Sequence, residues 1–117
     1  MSEREIQHAI RLALGMEPDL MLWRNTVGMT QEWDPRTGRA RTLRYGEPGS
    51  ADLFGILGPS GRFVAFEVKR PGGRLSPEQR MWADRVHRFG GFVAVVTSVE
   101  EARAALSSAR EGARHVG

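Results

Sequence analysis

The segment ADLFGIL-GPSG-RFVAFEVK, residues 51–69, constrains the fold more than any other part of the chain. Two runs rich in apolar, β-branched and aromatic residues flank four turn residues, which predicts an antiparallel hairpin. With Gly58 to Gly61 as the connection, Leu57 faces Arg62, and counting back sets Asp52 opposite Glu67. Side chains alternate along a strand, so Asp52 and Glu67 project from one face with Cβ atoms ~5 Å apart. Lys69, two residues further on, shares that face. LSPEQRMWADRVHRFGG then reads as a helix, with Ser76 as N-cap, Pro77 in the first turn and Gly90 as the stop. FVAVV, Phe92 to Val96, is continuously apolar, as a buried strand is. The unit from Phe63 to Val96 is expected to be a right-handed crossover between parallel strands.

The remaining elements fit around this unit. SEREIQHAIRLAL is a helix: Ser2 caps, Glu5 is its capping-box partner, and Ile6, Ile10, Ala13 and Leu14 recur at helical spacing. LMLWRNTV, Leu20 to Val27, predicts a first strand. The polar stretch GMTQEWDPRTGRARTLRYGEPG has turn signals at Asp34-Pro35 and Thr37-Gly38 and reads as a flexible hairpin or long loop. SVEEARAALSSAR is a last helix, with a capping box from Ser98 to Glu101, and the tail over 110–117 is expected to fray. The order α-β-β-β-α-β-α predicts one α/β domain over 1–117, a mixed β-sheet flanked by helices.

Composition narrows the setting. The 117 residues include no cysteine, which excludes disulfides and thiolate zinc sites and requires no oxidising compartment. No apolar run approaches the ~20 residues that span a bilayer. The charged N-terminus does not resemble a secretory signal, so the expected setting is the cytoplasm. The net charge of +3 suits a phosphate-rich partner, with genomic bias towards arginine as the alternative. His8, His87 and His115 form no ligand pattern, and no serine–histidine–acid constellation is present.

The aligned acids carry the chemistry. Two carboxylates that close repel by about 3 kcal/mol at an effective dielectric of 20. A shared proton, Lys69 or a divalent cation compensates, and a hard cation takes one or two carboxylates plus water and phosphate oxygens. Lys69 is the only lysine among 17 basic residues. A compact ammonium steadies charge on a phosphoryl oxygen in a way that a broad guanidinium does not. The alternative is an ordinary Glu–Lys pair at a solvated strand end. Gln79 either orients Lys69 or a water, or is the capping-box partner of Ser76. Glu3 either leans towards the core side as a third carboxylate, or is a favourable first-turn acid.

Taken together, EREIQ, WRN, GEPGSADL, FEVKRPGGRLSPEQ and GGFVAVV resemble the PD-(D/E)xK nuclease superfamily, and within it the virus-type replication-repair nuclease (VRR-NUC) domain, from Glu3 to about Val96. The resemblance implies a restriction-endonuclease-like fold and a metal-dependent nuclease. Asp52, Glu67, the Val68 backbone carbonyl and Glu3 would hold Mg²⁺ or Mn²⁺, Lys69 would assist the attacking water, and Gln79 would assist the lysine. Ala51 stands where the superfamily motif has proline. The resemblance also implies a homodimer acting on branched DNA, such as four-way junctions or flaps, in bacteria or phage-infected cells. On that basis Arg36, Arg39, Arg41 and Arg44 would grip the DNA backbone, Arg70 and Arg74 would flank the scissile phosphate, and Trp33 or Tyr45 would stack on an unpaired base. A solvated surface role is the alternative for each arginine. A DNA-binding module without catalysis, or a metal-binding structural domain, are the rival classes.

Overall fold

In chain order the elements are α1 (Glu3–Leu14), β1 (Leu20–Arg24), β2 (Gly28–Asp34), β3 (Arg39–Tyr45), β4 (Leu53–Leu57), β5 (Arg62–Val68), α2 (Pro77–Arg88), β6 (Phe92–Val96), α3 (Val99–Arg110) and β7 (His115–Val116). They are seen in a computed structural model that describes residues 1–112 and the backbone of 115–116. The main sheet runs β1-β4-β5-β6-β7, antiparallel from β1 to β5 and parallel from β5 to β7. The β4–β5 register sets Leu57 opposite Arg62 and Leu53 opposite Phe66, as the four-residue connection predicts.

Alternation along the strands sends two different sets of side chains to the two faces. Leu53, Val64, Phe66 and Val68 meet Ile10 and Leu14 of α1 and Leu106 of α3 in the larger core. On the other face, Ala65 and Val93 pack against Trp82 and Ala83 of α2. Phe54 stacks on Trp82 at 5.6 Å between ring centroids, with Phe63 edge-on to both. Full burial of each large apolar side chain contributes about 1.5–3 kcal/mol, so the α1–sheet–α3 layer holds most of the apolar stabilisation. Glu67 lies on the α2 face and is 5% exposed, the one buried charged residue among those described.

The helix ends form largely as expected. Ser2 with Glu5, and Ser76 with Gln79, make full capping boxes. At α3 the box is only half made. Ser98 Oγ accepts from Glu101 N–H, but the Glu101 carboxylate turns to the N–H and hydroxyl of Thr97.

Three expectations change. The first strand ends at Arg24, short of Val27, and β4 begins at Leu53, beyond Ala51. Asn25 is the physical reason: its amide donates to Ser50 Oγ at 2.7 Å and to the Ala51 carbonyl at 2.8 Å, while its N–H bonds the Asp52 carbonyl at 2.8 Å. These bonds tie the two chain segments together where the regular ladder stops. The polar stretch after it is a regular hairpin, with Gly28 paired to Tyr45 through Asp34 paired to Arg39. Its tip closes because Asp34 accepts from Arg36 N–H at 2.9 Å and Gly38 adopts φ +70°. The tail expected to fray begins with an anchored residue: the Arg110 guanidinium grips the Asp19 carboxylate at 2.7 and 2.8 Å. Residues 113, 114 and 117 of that tail lie outside the described residues.

Candidate active site

Asp52 sits one residue before β4, and Glu67 is the penultimate residue of β5. The register continues past the last ladder pair, so both side chains leave the same face of the sheet. Asp52 Oδ2 accepts from the Val68 N–H at 2.8 Å, taking the place of the β4 carbonyl that would stand there if the strand continued. The N–H and C=O of one strand residue point to the same side, so the Val68 carbonyl faces the Asp52 edge as well.

Glu67 accepts from the Gln79 amide at 3.4 Å. Gln79 serves two purposes: its Oε1 accepts from Ser76 N–H in the capping box while its Nε2 reaches the carboxylate. It therefore contacts Glu67, where the sequence suggested Lys69 or a water. Burial pushes the Glu67 carboxyl up to about 9, helped by its hydrogen bond to Asp52 and by the charges of Asp52 and Glu3, and opposed by Lys69.

Lys69 follows the end of β5, and its N–H bonds the Val96 carbonyl at 3.0 Å, extending the parallel ladder. Its side chain makes no ion pair or hydrogen bond among the described residues, yet its charge is felt at Glu67. Gly73 packs on the lysine stem so closely that an added Cβ would stand 3.1 Å from Lys69 Cβ. The PGG turn thus steadies the lysine stem. Glu3 is exposed in the first turn of α1, and its charge reaches Glu67 without contact.

The donor set suits a hard divalent cation. Among the described residues, Asp52 and Glu67 each keep a carboxyl oxygen that takes no protein N–H. No group of three or more His, Asp or Glu side chains stands at ligating spacing among the described residues, so the protein offers two carboxylates and a nearby main-chain carbonyl. An ion such as Mg²⁺ takes its other ligands from water and phosphate. The carboxylates open into a cleft of about 310 Å³, also lined by Gln7, Arg24, Asn25, Ser50 and Gln79. Gly49 shapes its rim: it adopts φ +82°, and an added Cβ would lie 2.6 Å from the Glu78 carbonyl. Only glycine lets this loop approach the start of α2.

The expected DNA-contacting residues are dispersed. Arg36 and Arg41 are engaged by Asp34 and Glu32 at 3.6 and 3.4 Å. Alternation sets Trp33 and Arg44 on one face of the β2–β3 hairpin, and Arg39, Arg41 and Tyr45 on the other. Tyr45 lies over Gly28, where a Cβ would stand 2.5 Å from its hydroxyl, and Trp33 is 64% exposed. Arg70 and Arg74 are exposed in the loop after Lys69. Sequence reasoning missed the positioning task of Asn25; its signal was an amide side chain just after a strand, a residue type that often ties a turn to neighbouring backbone.

The VRR-NUC domain family model matches residues 30–100, more than half the chain. A search of curated proteins finds no match. No helix among the described residues is long and apolar enough to cross a membrane. The match spans most of the β2–β3 hairpin, Asp52, Glu67, Lys69, Gln79 and the parallel strand β6, and the mixed sheet between helices is the restriction-endonuclease-like arrangement that such a match implies. The chain therefore belongs to the VRR-NUC domain family, whose function is nuclease-type processing of DNA.

Proposed function

We propose that the protein is a divalent-metal-dependent DNA endonuclease that hydrolyses phosphodiester bonds in branched DNA. Asp52 and Glu67 hold the cation, Mg²⁺ or Mn²⁺, with the Val68 carbonyl beside them and Glu3 adding negative charge from α1. When bound, the cation supplies Lewis-acid polarisation of a phosphoryl oxygen and lowers the pKa of water. Gln79 holds the Glu67 carboxyl in orientation. The Lys69 ammonium, unpaired among the described residues, stabilises charge developing on the phosphoryl oxygens. Arg70 and Arg74 flank the scissile phosphate. Arg36, Arg39, Arg41 and Arg44 on the hairpin contact the backbone, and Trp33 or Tyr45 stacks on an exposed base. Two cuts across a junction need two active centres, so the working form is a homodimer, in the cytoplasm of a bacterial or phage-infected cell.

The observation that carries this proposal is the placing of Asp52 and the buried Glu67 at the mouth of one polar cleft, where burial first and Asp52 second push the Glu67 carboxyl up to about 9. A buried acid that holds its proton beside a second carboxyl, at the mouth of a polar cleft, is the metal-free counterpart of a cation site. The test is a cleavage panel of linear, flap and four-way DNA with Mg²⁺ and with Mn²⁺. Asp52→Ala and Lys69→Met are each expected to reduce cleavage by about 10²-fold or more, on the scale of losing a key electrostatic group, while leaving the circular dichroism spectrum unchanged. DNA binding without cleavage by the unaltered protein would instead identify a non-catalytic binding module.

A further inference from the structure

A second surface meets the same cleft. Gln7 and Arg24 line the carboxylate cleft, and both also line an adjoining hollow of about 680 Å³ beside α1. The two depressions are therefore neighbours, with Gln7 and Arg24 as shared wall residues. Arg4, His8 and Arg11 line the outer stretch. Their spacing, i, i+4 and i+7, puts them in one stripe of α1, apart from the Ile6–Ile10–Leu14 stripe that faces the core. Among the described residues, the guanidinium groups of Arg4, Arg11 and Arg24 make no ion pair or hydrogen bond. Glu5, the acid in the same hollow, has its carboxylate turned onto the Ser2 N–H in the capping box. By contrast, Arg36 and Arg41 of the hairpin already have acidic partners.

We infer that Arg24, Arg4 and Arg11 form a phosphate-binding track that carries one DNA strand away from the carboxylate site along the outer face of α1. The spacing suits this. A helix rises 1.5 Å per residue, so Arg4 and Arg11 stand ~10 Å apart along α1, about three base-pair rises along a duplex axis. Unpaired guanidinium groups lose no protein partner on binding, and each phosphate they neutralise releases counterions. Adjacency to the acid pair selects nucleic acid over an acidic peptide, because the strand that enters the cleft must leave it across one of its walls.

This inference rests on the nuclease proposal, and its test separates the two. Binding of labelled duplex and four-way DNA is measured by fluorescence anisotropy in chelator over a salt series, for the unaltered protein, Arg4→Gln/Arg11→Gln and Arg24→Gln. The double variant is expected to weaken binding about 5–10-fold on every substrate and to flatten the log–log salt slope by about 2. Arg4→Lys/Arg11→Lys, which keeps the charges, is expected to retain most of both. Unchanged affinity and slope in the double variant would overturn the track if the unaltered protein binds and cleaves DNA. A loss confined to an Arg36→Gln/Arg39→Gln/Arg41→Gln variant would also overturn it. Absence of both binding and cleavage in the unaltered protein would instead remove the nuclease proposal, and the track with it.

Discussion

At the scale of single residues, Glu67 shows what burying a carboxyl beside a second one costs in stability. Its carboxyl has an ordinary value of 4.5 and is raised to about 9 in the folded chain, chiefly by burial and then by Asp52. Between those values the unfolded chain loses this proton while the folded chain keeps it. The contribution of Glu67 to stability is therefore fullest below pH 4.5 and declines as pH rises towards 9, by up to about 1.4 kcal/mol per pH unit. In chelator, thermal unfolding is expected to show a falling midpoint across this window. Glu67→Gln, which keeps the shape without the titration, should flatten it. Added Mg²⁺ or Mn²⁺ should raise the midpoint more at pH 8 than at pH 5, because the cation competes with the proton. A pH-independent midpoint in the unaltered protein would contradict this account. The residue types at this corner were legible in the chain: an acid just before one strand, an acid near the end of its hairpin partner, and one lysine. Gln79 was legible only as a choice between capping and reaching the site, and it does both because a side-chain amide has an acceptor and a donor at opposite corners.

At the scale of elements, the β2–β3 hairpin shows what periodicity hides. Both of its faces are largely exposed, so no apolar alternation marks its strands, and polar residues with turn signals left a hairpin and a long loop equally open. Cross-strand pairing builds it nonetheless, with Glu32 directly opposite Arg41 and a closed turn at Gly38. Because it is a two-stranded sheet separate from the main one, the hairpin adds little to the core. Replacing residues 30–43 with a short Asn-Gly turn is expected to change the unfolding free energy by no more than about 1 kcal/mol, the range of a locally opening segment. Urea denaturation measures that change, and a collapse of the whole transition would show that the hairpin belongs to the cooperative unit. The α-helices were read more accurately because each carries a chemical start signal: serine at the N-cap, with a partner three residues on.

At the scale of the whole molecule, long-range ties decide how the layers meet. The molecule measures 54 × 32 × 28 Å with a radius of gyration of 16.0 Å, against about 13 Å for a compact chain of this length, so it is elongated. Arg62 joins three elements: it donates to the Gly90 carbonyl after α2 and the Ala109 carbonyl in α3, each at 3.1 Å, and lies 5.7 Å from the Phe92 ring centre. Arg62→Ala is expected to cost about 1–3 kcal/mol, read as a lower urea midpoint with an unchanged slope. A midpoint within error of the unaltered protein would show that solvent replaces these contacts. Sequence was enough for the hairpin register, the helix starts and the shared face of Asp52 and Glu67, because turn length, caps and strand alternation are local rules. Only the tertiary structure decided that Glu67 is buried, that Asn25 ties down the Asp52 loop, that Gln79 reaches the carboxylate and that Arg24 lines two clefts. Each of these depends on segments tens of residues apart meeting at one edge of the sheet, and no local spacing encodes how much water such a meeting excludes.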